Sequence, residues 1–201
     1  MSIVKLNNRS VKDVTAFGSI SSLGSLTHIA TQTASSSANI SFTSGINNTY
    51  KEYMFFCVNI HPATDNVKFN VNFSVDAGSN YNVTKTTTIF RAFNKENNSS
   101  NGLNYESGSD LAQSTSGATI SIELGNGNDE SCSGILHLFE PSSSTFVKHF
   151  TSNFNTYQYN DITMNHIAGG YGNTTSAIDA VQFSMSSGNI DSGQILLFGL
   201  N

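Results

Sequence analysis

The chain contains no tryptophan and only two cysteines, and charged residues fill just 11% of its 201 positions. Typical soluble domains carry about 25% charge, so the polar surface here must come from Ser, Thr, Asn and Gly. Disordered chains combine low hydrophobicity with high charge; at 37% hydrophobic this composition points to a folded chain. Two cysteines do not make a disulfide framework. Cys57, inside Tyr53-Met-Phe-Phe-Cys-Val58, reads as a buried thiol, and the low count suits assembly in a reducing cytoplasm. The formal net charge is −5 and Lys and Arg are scattered. The basic footprint that nucleic acid requires is therefore missing. No apolar run approaches the ~20 residues of a membrane helix, and no signal-peptide stretch opens the chain. Membrane insertion and secretory export are not expected.

What is present is short β-type runs separated by Ser/Asn/Gly turns. Leu26–Thr33 and Ala38–Thr43 begin the series, with Ile40 and Phe42 alternating against polar residues at the period of a half-buried strand. Tyr50–Ile60 is apolar at successive positions and reads as a central strand, ended by His61-Pro62. In Lys68–Val75 the residues Phe69, Val71, Phe73 and Val75 share one parity, which predicts an inward face. Asp76–Asn80 then predicts a hairpin turn, and Tyr81–Phe93 the returning strand. Asn94–Thr115 is a long irregular section. Further strands are expected at Ala118–Leu124, Gly134–Glu140, Thr145–Asn153, Asp161–Ala168, Ile178–Met185 and Gly193–Leu200. About ten strands without an amphipathic helix predict an all-β fold. The expected form is a two-sheet antiparallel β-sandwich, jelly-roll-like, over residues 25–201.

Residues 1–24 differ from the rest. Ile3, Val4, Leu6, Val11, Val14 and Phe17 are apolar but follow no sustained period, and small residues follow at 19–25. The segment reads as a frayed terminus, as an extended N-terminal arm that docks on a partner, or as a short helix. Six apolar anchors are more than a solvated tail needs.

Candidate chemistry is sparse. None of the five histidines falls in a metal-ligating spacing, and His137 and His149 read as outward strand residues. Asn126–Glu130 has the composition of half a calcium loop without its ligand pattern, and an ordinary turn explains it. There is no Gly-x-Ser-x-Gly elbow, and no cofactor is expected. The glutamates are scattered, and only three dimensions can pair them as a glycosidase would require. Tyr105, Tyr157, Tyr159 and Tyr171 stand among Asn, Ser and Gly. That mixture suits ligand-binding loops, because Tyr supplies rigid contact area and Asn and Ser supply adaptable hydrogen bonds. The alternative is that these rings pack on the fold with their hydroxyls wet.

Several stretches resemble virion structural proteins of tailed phages that infect marine bacteria. They are Ile40–Ile46, Asn59–Asp65, Gly108–Gln113, Thr145–Phe150, Gly170–Asp179 and Met185–Asp191, together with Val4-Lys-Leu6. The resemblance covers nearly the whole chain and brings no catalytic motif. It implies a non-enzymatic accessory virion protein, either a tail fibre or appendage or a head decoration. Expected partners are other virion proteins and identical copies, with a trimer as the expected oligomer. The alternative is a receptor-recognition domain that binds host surface glycans.

Overall fold

The structure, a computed structural model, describes residues 26–158 and 160–201. The expected arm and its anchors lie outside the described residues, as does Tyr159. The fold is all-β, with twelve antiparallel strands and one short 3-10 turn at Ser107–Ser109. The strands are β1 (Thr27–Thr33), β2 (Ile40–Phe42), β3 (Glu52–Pro62), β4 (Val67–Ser74), β5 (Lys85–Lys95) and β6 (Asn101–Tyr105). They continue as β7 (Ala118–Leu124), β8 (Cys132–Phe139), β9 (Lys148–Gln158), β10 (Ile162–Gly172), β11 (Ala180–Met185) and β12 (Ile190–Leu200).

The ladder curls into a nearly barrel-shaped sheet. One limb runs β1-β12-β3-β8-β9-β10-β5-β6, and the other runs β7-β4-β11-β2. A single residue pair, Leu124↔Gln158, joins β7 to β9. The concave side holds a phenylalanine core. Phe69 stacks on Phe183 at 5.7 Å and meets Phe154 edge-on at 5.8 Å, and Phe55 meets both Phe42 and Phe183 at 5.4 Å. Offset and edge-on contacts of this kind are the preferred aromatic geometries. Both cysteines are free thiols within this core. Burial pushes both thiols up, keeping them protonated and inert.

Four expectations are corrected. Phe69, Val71 and Phe73 are buried, but Val75 lies outside β4 and is exposed. The chain turns there instead, with Ser74 Oγ donating to Asp76 Oδ1 at 2.7 Å. The Asp76–Asn80 turn forms, yet β4 and β5 are not hairpin partners: β4 pairs with β11 and β7, and β5 pairs with β10 and β6. The section 94–115 contains β6, which forms a hairpin with β5. Tyr50–Ile60 does not bury both faces. Tyr53, Phe55 and Cys57 point into the core, whereas Met54, Phe56 and Val58 look outward and are only partly covered.

Candidate functional site

Strand register fixes what the long limb presents on its convex side. Directly opposed residues in an antiparallel ladder share a face, so the outward residues form rows across the strands. One row is Tyr105–Phe90–Ile167–Asn153–Ile135–Phe56–Leu196, from β6 to β12. The next is Thr88–Gly169–Thr151–His137–Met54–Phe198. The centre of this face, on β9, is polar and exposed: His149, Thr151, Asn153 and Asn155. The flank on β8-β3-β12 is apolar. Phe56 lies between Ile135 and Leu196 and meets Phe198 edge-on at 5.2 Å. At its margin His137 Nδ1 sits 2.5 Å from Glu52 Oε1, and the imidazole stacks on Phe139.

The other flank, on β9-β10-β5, carries an open depression of about 370 Å³. Its floor is the backbone of Gly169 and Gly170 on β10, between threonines 86–88 of β5 and residues 149–151 of β9. Each glycine has its own reason. A Cβ at Gly170 would lie 2.5 Å from the Thr86 carbonyl oxygen, so close strand approach demands the glycine. A Cβ at Gly169 would make only ordinary contacts, 3.7 Å to the Phe150 carbonyl oxygen and 3.8 Å to Thr151 Cγ2. The space above Gly169 is therefore open because no side chain is there.

Tyr171 forms one end of the depression, 6.3 Å from the His149 ring and edge-on to it. A polar network meets its hydroxyl. Gln113 Nε2 donates to Thr86 Oγ1 at 2.8 Å and reaches Tyr171 Oη at 3.4 Å, and Asn173 Nδ2 donates to Gln113 Oε1 at 2.8 Å. Gln113 holds this position at φ +49°, a left-handed conformation uncommon for a residue with a side chain. Below it, Lys148 is fully enclosed. Its ammonium donates to the carbonyls of Ser143, Phe146 and Thr174 at 2.6, 2.8 and 3.2 Å, tying the loop before β9 and the loop after β10 to the start of β9. Lys85, on the far side of Gly172, donates to Asn72 Oδ1 at 2.5 Å and the Val83 carbonyl at 2.6 Å. Burial pushes its ammonium down to about 8.

Of the tyrosines expected to form ligand loops, Tyr105, Tyr157 and Tyr171 lie on strands β6, β9 and β10. They share the convex face but not one site. Tyr157 is eight residues along β9 from His149, about 27 Å at strand rise. There its hydroxyl meets Asp161 at 3.3 Å. The Tyr105 hydroxyl donates to Asp110. Gln113, Asn173, Thr86 and Gly169 carry no sequence signal of their own except the glycine doublet, which inside a strand marks close backbone approach.

The interior holds a second concentration of polar groups, between β7 and β10. Arg91 Nη1 pairs with Glu123 at 2.9 Å, and Arg91 Nε lies 2.8 Å from Glu106. Beside them, Ser121 Oγ lies 3.2 Å from His166 Nδ1 and 2.6 Å from Thr156 Oγ1. Ser121 and His166 are fully enclosed, and no partner reaches His166 Nε2. Burial and then the Arg91 charge push the imidazole down to about 3, so it is neutral. A hydroxyl and imidazole sealed in this way cannot meet an external substrate. The Asn126–Glu130 segment is a turn closed on itself, with Glu130 Oε2 accepting from the Gly127 amide at 2.5 Å. Among the described residues no three His, Cys, Asp or Glu side chains converge as metal ligands. No protein-family model, curated protein or solved structure matches the chain.

Proposed function

We propose that this chain is a non-enzymatic structural subunit of a tailed-phage virion, built as a jelly-roll-like sandwich in which the two limbs are the two sheets. It would be made in the host cytoplasm and incorporated as a tail appendage or head decoration. Residues 1–24 are its attachment arm, and copies of the chain associate as a trimer through the convex face of β8-β3-β12. One observation carries this reading: the outward positions on that flank are apolar where a solvated sheet face alternates to polar residues. Phe56, Ile135, Leu196, Met54 and Phe198 adjoin one another in register, and Val58 and Phe139 are 43% and 37% exposed beside them. Contiguous exposed apolar area of this kind marks contact sites. Association of identical copies is the default for such assemblies, and the resemblance to virion proteins supplies the setting.

The test is incorporation. Deleting residues 1–24 should abolish recovery of the chain on purified virions and leave its far-ultraviolet circular dichroism unchanged. Normal incorporation of the truncated chain would contradict the proposal. A second reading, carbohydrate recognition by the same face, is favoured by the Tyr171 depression. It is compatible with the first, since the depression lies on β9-β10-β5 and the apolar flank on β8-β3-β12.

A further inference from the structure

We infer that the depression on β9-β10-β5 binds a single uncharged hexopyranose unit of a glycan, a proposal that rests on the carbohydrate-recognition reading and gives it a site and a ligand class. Three physical features converge. The first is shape and chemistry. The lining residues include no Asp, Glu, Lys or Arg, and His149 at the Tyr171 end is the one lining side chain that can take up a positive charge, so no permanent charge there selects a phosphate, a carboxylate or an ammonium group. A pyranose offers apolar C–H faces and a rim of hydroxyls. The depression offers the complement: the Tyr171 ring and threonine methyls for the C–H face, and the hydroxyls of Thr88 and Thr151 for the rim. A hydroxyl both donates and accepts, and among the described residues neither of these is engaged by another side chain.

The second feature is the floor. Gly169 removes one side chain from the middle of the row Thr88–Gly169–Thr151, so backbone is exposed between two threonines. Along β10 the gap runs from Tyr171 to Ile167, about 13 Å at strand rise. This is room for one sugar ring, and the volume is near the lower end of small-ligand sites.

The third is preorganisation. Gln113 Nε2 reaches the Tyr171 hydroxyl at 3.4 Å, and Thr86 and Asn173 in turn hold the Gln113 amide. Gln113 adopts a left-handed conformation in doing so, and backbone strain of this kind persists where the surroundings over-determine it, typically at ligand clamps. Gln113 and Tyr171 are 58 positions apart in sequence and are brought together here by the fold. One open side and one small ligand imply an affinity of about millimolar.

The experiment is a 1H–15N NMR titration of the full chain with galactose, glucose and mannose, with N-acetylneuraminic acid as the charged control. The expected result is saturable shifts at residues 86–88, 149–151 and 169–171 for at least one neutral hexose, and none for the acid. A Cβ at Gly169 makes only ordinary contacts, and Gly169→Val extends a side chain from it into the gap. It should weaken binding by about tenfold or more while leaving the thermal midpoint unchanged; Tyr171→Ala should weaken it by a similar factor. Binding that persists in Gly169→Val would overturn the assignment to this depression and leave carbohydrate recognition elsewhere on the chain. No shift with any neutral hexose at about 100 mM, roughly a hundred times the expected dissociation constant, would overturn both. Stronger shifts with the acidic sugar would overturn the ligand class.

Discussion

The two sides of β3 are almost equally apolar, yet only one of them is core. Tyr53, Phe55 and Cys57 face inward and are enclosed; Met54, Phe56 and Val58 face outward and remain partly open. The same strand therefore makes one dry face and one unpartnered face. Apolar character alone does not say which is which. The inner face is defined by what covers it, Phe42 of β2 and Phe183 of β11 against Phe55, whereas no described element covers the outer face. That outer face is the surface on which the proposed association of copies rests, and it is distinct from the flank on β9-β10-β5, where the side chain missing at Gly169 leaves a small depression between threonines.

The largest expected effect lies on the inner side. Phe55→Ala removes a fully buried ring that touches Phe42 and Phe183, and should cost about 3–5 kcal/mol of unfolding free energy, read by urea denaturation. Phe56→Ala, one residue away, should cost the isolated subunit about 1 kcal/mol or less. If the two substitutions destabilise the monomer equally, the two faces of β3 are not different in the way described here.

A second effect sharpens the contrast at the far end of the same limb, where the enclosed residue on β10 is a histidine. His166 is neutral in the fold at about 3 and would titrate near 6.5 when unfolded. Above the unfolded value both states are uncharged and the group is silent. Below it the unfolded chain takes up the proton first, so stability falls as pH drops from 6.5 toward 3. From this group the loss between pH 7 and about pH 4.5 is about 2–3 kcal/mol. His166→Leu should flatten that part of the profile, since Ser121 and Thr156 remain bonded to each other. An unchanged pH profile in the variant would place the imidazole in a solvated site. The smallest effect belongs to Gly169→Val, expected to move the thermal midpoint by no more than about 1 °C because the added Cβ meets only ordinary contacts and the depression beyond it is open.

Local pattern carried the faces of strands further than their partners. The parity of Phe69, Val71 and Phe73 identifies the inward side of β4, and Asp76 with its neighbours identifies the turn. Neither says that β4 pairs with β11, more than a hundred residues later. Sequence adjacency suggests a hairpin with β5, but the chain crosses to the other limb instead, because pairing is decided by long-range packing of the phenylalanine core. His166 was legible in principle: it shares the parity of Met164 and Ala168, both enclosed. The tyrosines stand among polar residues in the sequence, but Tyr105, Tyr157 and Tyr171 are scattered along one face by their strand positions, and of these three Tyr171 borders the depression on β9-β10-β5. That depression depends on Gln113, a residue that composition cannot single out and that reaches Tyr171 from 58 positions away.

The most direct measurement is sedimentation velocity on the full chain and on Phe56→Glu at matched concentrations. A contact face on β8-β3-β12 predicts that the unaltered chain sediments as a trimer and that Phe56→Glu sediments as a folded monomer with unchanged circular dichroism. An unaltered chain that remains monomeric at about 100 μM, or an oligomer indifferent to the charge placed at Phe56, would contradict it.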